Sequence, residues 1–505
     1  MGMKSEGVRE RLLRTGMGCF AFAAGMTLIN ALVLPIARAY HGYRAAVALP
    51  AFVLAGAAYG FVIHCIQRTD SGRLERVRRI AVPAYLAVLF IVQIILGYLM
   101  EYVPAGDNFM IYNGSALLAS DGCFDRYPDF ELYLARYSNQ WGFLLFFAAM
   151  WKFFVFLGFE SIFMPMVVVQ AALYIPGILC ALSMARRTRG VRAELVLLML
   201  LATCLPMYLA AGVLYTDTFS MPFVMMTLYL ALRVMQEEDA RRRLCWAAAC
   251  ALMAALGGMI KMTVAIVLIA AVICWLLCLR PVHAAACAAL CAVILFAGNG
   301  AVERTLLSGP IDRQMYQQHN TPKIHWVMMS IPSSDNPYGG YCNEYGPTWE
   351  MMENGASREE IMDSIYTRMK DKIYTLRYPD RLILAALRKN AAAFGDGTFG
   401  MTEMLDDNPV RLNAVSNIVL AEGRHYPLYQ GVASGVFFAQ LLMAIFACWR
   451  DIRRRDLRMA MGYVAAFGML LFLMLWEARA RYFFGFVPVI LLLASRIAEG
   501  REEDV

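Results

Sequence analysis

Long apolar runs separated by short basic stretches dominate this chain. Runs of about 18–25 apolar residues are long enough for a helix to cross a bilayer, and they recur from residue 17 to residue 496. They are continuous rather than alternating, so they predict helices and exclude an outer-membrane barrel. The spans fall at roughly 17–38, 45–66, 80–100, 161–185, 194–213, 215–235, 244–259, 263–279, 282–302, 431–449, 459–477 and 482–496. The expected fold class is an all-α polytopic membrane protein with about 12 transmembrane helices.

Basic clusters set the expected orientation. Arg68, Arg73, Arg76, Arg78 and Arg79 follow the second span, and Arg186, Arg187, Arg189 and Arg192 follow the fourth. Arg241, Arg242 and Arg243 follow the sixth, and Arg450, Arg453, Arg454, Arg455 and Arg458 follow the tenth. With a cytoplasmic N-terminus all of them fall inside. That places both termini in the cytoplasm and residues 101–160 and 303–430 outside.

Two stretches decide the count. Residues 139–157 are apolar enough for a span, but counting them would move the Arg186 cluster outside. They are expected as a helix at the external interface, rich in Trp and Phe and carrying Lys152. Residues 244–279 are too long for one span. Gly257 and Gly258 weaken the helix there and Lys261 needs water, so two short spans should turn at the external face. The chain then divides into a two-span N-terminal addition (1–79), a transmembrane core (80–302), an external region (303–430) and a three-span C-terminal segment (431–505). In the external region Ser357 and Glu360 form a capping-box pattern. The run KDKIYTLRYPDRLILAALRKN predicts another helix resting on the membrane. The absence of an internal repeat counts against transporter folds built from duplicated halves.

Composition agrees. Of 505 residues 60% are hydrophobic and 17% charged, whereas soluble domains carry nearer a quarter charged. The net charge of +7 lies in the clusters between spans, which topology explains without nucleic acid. Most of the 13 cysteines fall inside spans, where they act as small apolar residues. Cys123 and Cys342 fall in external loops, leaving a disulfide between them open. Lys4, Arg9, Arg11 and Arg14 precede a long apolar run, which reads as an anchor rather than a cleaved signal.

Some charged residues are not explained by topology. Asp107 follows Pro104 and Gly106 at the end of the third span. It is either a helix N-cap or a carboxylate at the external mouth of the bundle, able to take a proton from a hydroxyl. Asp217, in LYTDTFSMP, has the same two readings at the next external turn. Lys261 and the segment WEARARYFF, with Glu477, Arg479, Arg481 and Tyr482, put cations at the external end. Cations there either snorkel to headgroups or hold a phosphate, to which Arg offers a bidentate fork. A base and a phosphate clamp on one face suit sugar transfer from a lipid phosphate. A lipid-phosphate transporter could use the same cations.

The order of these segments resembles the membrane-embedded GT-C glycosyltransferases of the protein O-mannosyltransferase and aminoarabinose-transferase type, glycosyltransferase family 39. GDNFMIYNGSALLASDG is similar to that family's first surface helix, with Asp107 at its acidic position, and YSNQWGFLLFFAAMWKFFVFLG to the second. LYTD matches its later acidic turn and GGMIKMT its Lys-bearing turn. TPKIHWVMM, KNAAAFGDGTFG and WEARARYFFGFVPVILLLA look like variants within the family. The resemblance covers roughly 80–496. Asn108 stands where many members carry a second acid, which leaves a divalent metal possible and metal dependence open. The resemblance implies a GT-C-like helix arrangement in the cell membrane. It also implies inverting transfer from a polyprenyl-phosphate sugar to an acceptor outside the cytoplasm. Asp107 and Asp217 would be catalytic, and Lys261, Arg479 and Arg481 would hold the donor phosphate. Glu477, Tyr482, Asn139, Gln140 and His325 would support them. A flippase of lipid-linked glycans and an envelope glycan polymerase or ligase are the competing readings.

Overall fold

A computed structural model describes residues 2–33, 45–406 and 408–498. Among these residues the secondary structure is helical, apart from one isolated bridge between Tyr102 and Pro409. The chain runs through α1 (Gly2–Val33), α2 (Ala45–Arg68), α3 (Ser71–Leu99), α4 (Gly106–Ser120), α5 (Pro128–Arg136), α6 (Trp141–Phe156) and α7 (Phe163–Ala202). Then come α8 (Pro206–Leu209), α9 (Thr216–Gln236), α10 (Ala240–Ile260), α11 (Val264–Cys278) and α12 (Pro281–Leu306). Seven short or amphipathic helices follow: α13 (Arg313–His319), α14 (Lys323–Ser330), α15 (Tyr345–Glu353), α16 (Arg358–Thr375), α17 (Pro379–Phe394), α18 (Glu403–Asp406) and α19 (Ser416–Val419). The chain closes with α20 (Tyr426–Arg454), α21 (Ala460–Leu475), a 3-10 turn (Ala480–Phe486) and α22 (Val487–Ser495).

Eight of these helices are long and apolar enough to cross a membrane, and three shorter apolar helices accompany them. The difference from twelve expected spans lies in α7. Gly190 inside it has φ 78° and ψ −171°, a conformation open essentially only to glycine. There the helix folds back on itself. Gln170 donates to the Ala210 carbonyl at 3.1 Å, and Tyr174 donates to the Thr218 carbonyl at 3.0 Å. The segments expected at 161–185 and 194–213 are therefore separate passes joined at a glycine hairpin. The second pass itself breaks at Thr203, where α7 ends before Pro206. Residues 34–38 of the first expected span lie outside the described residues.

Residues 244–279 form two helices, α10 and α11, with Lys261–Thr263 as the turn between them. The stretch 139–157 forms the 16-residue α6, about 24 Å long. It packs against α4, α10 and α12, and Phe156 is 85% exposed at its end. Ser357 and Glu360 make the full reciprocal capping box of α16. The single helix expected over KDKIYTLRYPDRLILAALRKN is instead two: α16 ends at Thr375 and α17 begins at Pro379. Proline cannot donate within a continuing helix and starts a new one instead. The disulfide left open is absent. Cys123 and Cys342 are both free, and the Cys342 sulfur accepts from Asn336 Nδ2 at 3.3 Å.

Charged residues gather at the two ends of shared helices. At one end Arg78 meets Glu194 at 2.7 Å, Arg186 meets Glu75 at 3.1 Å, and Arg189 meets Asp451 at 2.6 Å. Buried Arg496 lies between Asp451 and Asp456, at 2.5 and 2.9 Å. Glu75 and Arg78 lie in the first turns of α3, Arg186, Arg189 and Glu194 around the α7 hairpin, and Asp451 in the last turn of α20. The far end of α3 leads to Asp107, and Gln430 in the first turns of α20 donates to Asp396. Arg243 likewise opens α10 while Lys261 caps it. The four basic clusters thus share one end, and Asp107, Asp217, Lys261 and Arg481 share the other.

Candidate active site

Four loop-to-helix junctions converge at that second end. The first is the start of α4, where Gly106 adopts φ 54°. The helix is capped by Ala105 with no side-chain cap, so Asp107 in its first turn is left for other partners. Its Oδ1 accepts from the Tyr133 hydroxyl at 3.0 Å and its Oδ2 from the Tyr215 hydroxyl at 3.2 Å. Gln140 Nε2 donates to the Tyr215 hydroxyl at 3.0 Å, fixing that ring from behind. Capping does not account for Asp107.

The second and third junctions are the start of α9 and the α10–α11 turn. Tyr215 is the N-cap of α9, again without a side-chain cap bond. The Asp217 side chain, 2% exposed, instead accepts from Lys261 Nζ through Oδ1 and faces Arg481 Nε with Oδ2 at 3.3 Å. The Arg481–Asp217 contact is an ion pair at short range without hydrogen-bond alignment, since both Arg481 Nε and Asp217 Oδ2 are buried without a hydrogen-bond partner. Lys261 also lies over the Tyr482 ring at 4.0 Å. Burial pulls the Lys261 ammonium below its ordinary range, and the neighbouring Asp217 opposes that shift.

The fourth junction is the 3-10 turn after α21. A Cβ at Gly485 would meet Ser220 Oγ at 2.9 Å, so the glycine lets this turn sit directly on α9. That contact carries Arg481 to Asp217. Arg481 stands 5.4 Å from the centroid of Tyr215, the tyrosine that holds Asp107. Arg479 pairs with Glu477 at 3.2 Å, and both Arg479 and Arg481 reach Glu403 Oε2 at 3.5 Å. Glu403, from α18, was not singled out from the sequence. Burial raises its carboxyl above the usual range against the pull of Arg481 and Arg479, and its Oε1 is buried without a partner.

The remaining candidates separate. Gln140 reaches the site through Tyr215, whereas Asn139 is exposed on the short 3-10 turn beside it. His325 is fully buried, its Nδ1 3.1 Å from the Thr348 hydroxyl. Burial, then Arg368 and Lys372, lower its pKa to about 4, so it is neutral at pH 7. It packs within residues 303–430 and touches none of the clustered acids or cations. Tyr133 and Tyr215 were not foreseen either. Tyr215 stands inside the LYTD motif, but only the fold reveals that its hydroxyl serves Asp107 rather than Asp217.

The acids do not suit a divalent metal. Asp107 is engaged by hydroxyls, and Asp217 and Glu403 face cations. Among the described residues no group of three His, Cys, Asp or Glu side chains could hold a metal ion.

The sequence matches a family model described as "Conserved hypothetical integral membrane protein" over residues 27–500. The chain belongs to that family. It is an integral membrane protein, as its helices require. No curated protein matches it. Two solved structures are similar, both of ArnT from Cupriavidus metallidurans. The form bound to undecaprenyl phosphate shows 16% identity and a TM-score of 0.32, covering 82% of this chain and 77% of that one. The apo form shows 16% identity and a TM-score of 0.31, covering 83% and 77%.

Proposed function

We propose that this protein is a membrane glycosyltransferase. It moves a sugar from a polyprenyl-phosphate donor to an acceptor hydroxyl outside the cytoplasm. The observation that carries the reading is the shared ring of Tyr215. On one side its hydroxyl holds the Asp107 carboxylate, and on the other Arg481 approaches its ring. An anchored carboxylate and a set of buried cations are thereby held in one site, at one end of the bundle.

The chemistry follows from those two poles. The acceptor hydroxyl gives its proton to Asp107 as its oxygen attacks the anomeric carbon. The bond from that carbon to the phosphate oxygen breaks, and the electron pair leaves with the phosphate. Arg481, Arg479 and Lys261 stabilise the charge that gathers on the departing oxygen. A single displacement inverts the anomeric configuration. In the resting site these cations are balanced by Asp217, Glu403 and Glu477. Donor phosphate therefore enters by replacing a carboxylate, and Glu403 is the replaceable one, since it reaches both arginines at only 3.5 Å. The basic clusters at the opposite end favour that end as the cytoplasmic one and this site as the outer one.

The test is turnover of a defined polyprenyl-phosphate sugar by purified protein in detergent or liposomes. Asp107→Asn keeps the shape and one acceptor oxygen but cannot take the proton. It is expected to abolish transfer while leaving insertion and gel-filtration behaviour intact. Near-normal turnover by this variant would refute the role of Asp107.

A further inference from the structure

A cavity lies away from the proposed active site, at the other end of the bundle. It has a volume of about 770 Å³ between the first turns of α3 and the glycine hairpin of α7. Its lining includes Ser71, Glu75 and Arg79 from α3 and Ser183, Arg186 and Arg187 from α7. Three arginines and one glutamate give the wall a net of two positive charges.

Internal pairing does not consume that excess. Arg186 is held by Glu75 at 3.1 Å and by Glu194 at 3.3 Å. Glu194 is also taken by Arg78 at 2.7 Å. Counting Glu194 and Arg78 as well, four arginines face two glutamates, so two positive charges remain. They reside chiefly on Arg79, which only grazes Glu75 at 4.0 Å, and on Arg187, which has no ion-pair partner among the described residues. The positive-inside tendency explains the sign of this end of the bundle. It does not explain why the unbalanced arginines line one concavity together with hydroxyl groups.

We infer that this cavity binds a phosphate-bearing anion, as a phospholipid headgroup or as free phosphate. Phosphate oxygens suit a wall of this kind. Two guanidinium groups can each offer a fork of N–H donors, and the Ser183 hydroxyl can add a single donor. Arg79 has 74% of its side chain exposed, so it can turn toward a ligand without disturbing packing. Binding would tie the hairpin of α7 to the start of α3, which meet here through the Arg186–Glu75 pair.

The experiment uses full-length protein purified in a neutral detergent. Phosphatidylglycerol, phosphatidylcholine and inorganic phosphate are titrated separately, with native mass spectrometry and thermal unfolding as readouts. Saturable binding of phosphatidylglycerol with a rise in unfolding temperature, and none with phosphatidylcholine, is the expected result. An equal shift with inorganic phosphate alone would assign the site to free phosphate, and none with it to the lipid headgroup. Arg79→Gln and Arg187→Gln are each expected to weaken binding about fivefold, as for one cation facing an anionic headgroup. Both side chains are exposed, so both variants should fold, and gel filtration checks this. The inference is overturned if phosphatidylglycerol and inorganic phosphate bind no better than phosphatidylcholine. It is equally overturned if both variants bind the anion as tightly as the unaltered protein. Neither result depends on sugar transfer.

Discussion

Asp217 is the carboxylate whose loss the structure allows to be costed. It is buried and faces two cations, Lys261 Nζ at Oδ1 and Arg481 Nε at 3.3 Å from Oδ2. At an effective dielectric of about 20, a pair at that separation is worth ~5 kcal/mol of attraction. Asp217→Asn keeps the volume and removes the charge. Arg481 cannot shed its proton and keeps only the longer contact to Glu403. Lys261 can. Burial already depresses its pKa, and Asp217 is the main group holding it up, so without Asp217 it releases its proton at lower pH. This relief caps the cost near the lower end of the ~3–5 kcal/mol seen when one partner of a buried pair is removed. The expected loss is therefore about 3 kcal/mol, a fall of roughly 3–6 °C in unfolding temperature.

The assay is thermal unfolding in detergent at fixed scan rate, from pH 7 to pH 9. A lysine with a lowered pKa favours the neutral form as pH rises, so the defect of Asp217→Asn should shrink toward pH 9. The double variant Asp217→Asn, Lys261→Met should be less damaged than the sum of the two single variants, because it leaves one fewer unpaired cation. A defect below about 1 kcal/mol, or strict additivity in the double variant, would refute the reasoning and reduce the pair to a solvent-screened contact.

Three further outcomes follow from the same structure. Arg481→Lys keeps the charge but loses the planar fork, and should lower donor affinity or turnover roughly tenfold to a hundredfold in the transfer assay. His325 has a pKa lowered to about 4 by burial, below its unfolded value of about 6.5. Its stabilising contribution is thus present above pH 6.5 and lost as pH falls toward 4, amounting to about 3 kcal/mol. Acid unfolding of the protein should therefore soften in His325→Gln if this group drives it. Gly190→Ala puts a side chain at φ 78° and should cost about 1–3 kcal/mol, read as a lowered unfolding temperature with topology unchanged.

Hydropathy determined much of this protein directly. Apolar run length fixes where helices lie, because a span must satisfy its own backbone in lipid. The α10–α11 turn was legible in the same way, since two glycines and a lysine interrupt an otherwise apolar run. Asp107, Asp217, Lys261 and Arg481 stood out because charges beside apolar runs are costly and need a reason. Which acid meets which cation was not legible. Asp217 and Lys261 lie 44 residues apart, and Arg481 reaches them only because Gly485 lets one turn sit on another helix. Tyr133, Tyr215 and Glu403 carry no signal in a single sequence, since tyrosines and glutamates are ordinary at helix ends. His325 shows the converse, a residue marked by its type that the fold spends on packing within residues 303–430. Local pattern sets the helices because helix formation depends on neighbours in sequence. The site belongs to the tertiary structure, because its distances are set by how helices far apart in the chain pack against one another.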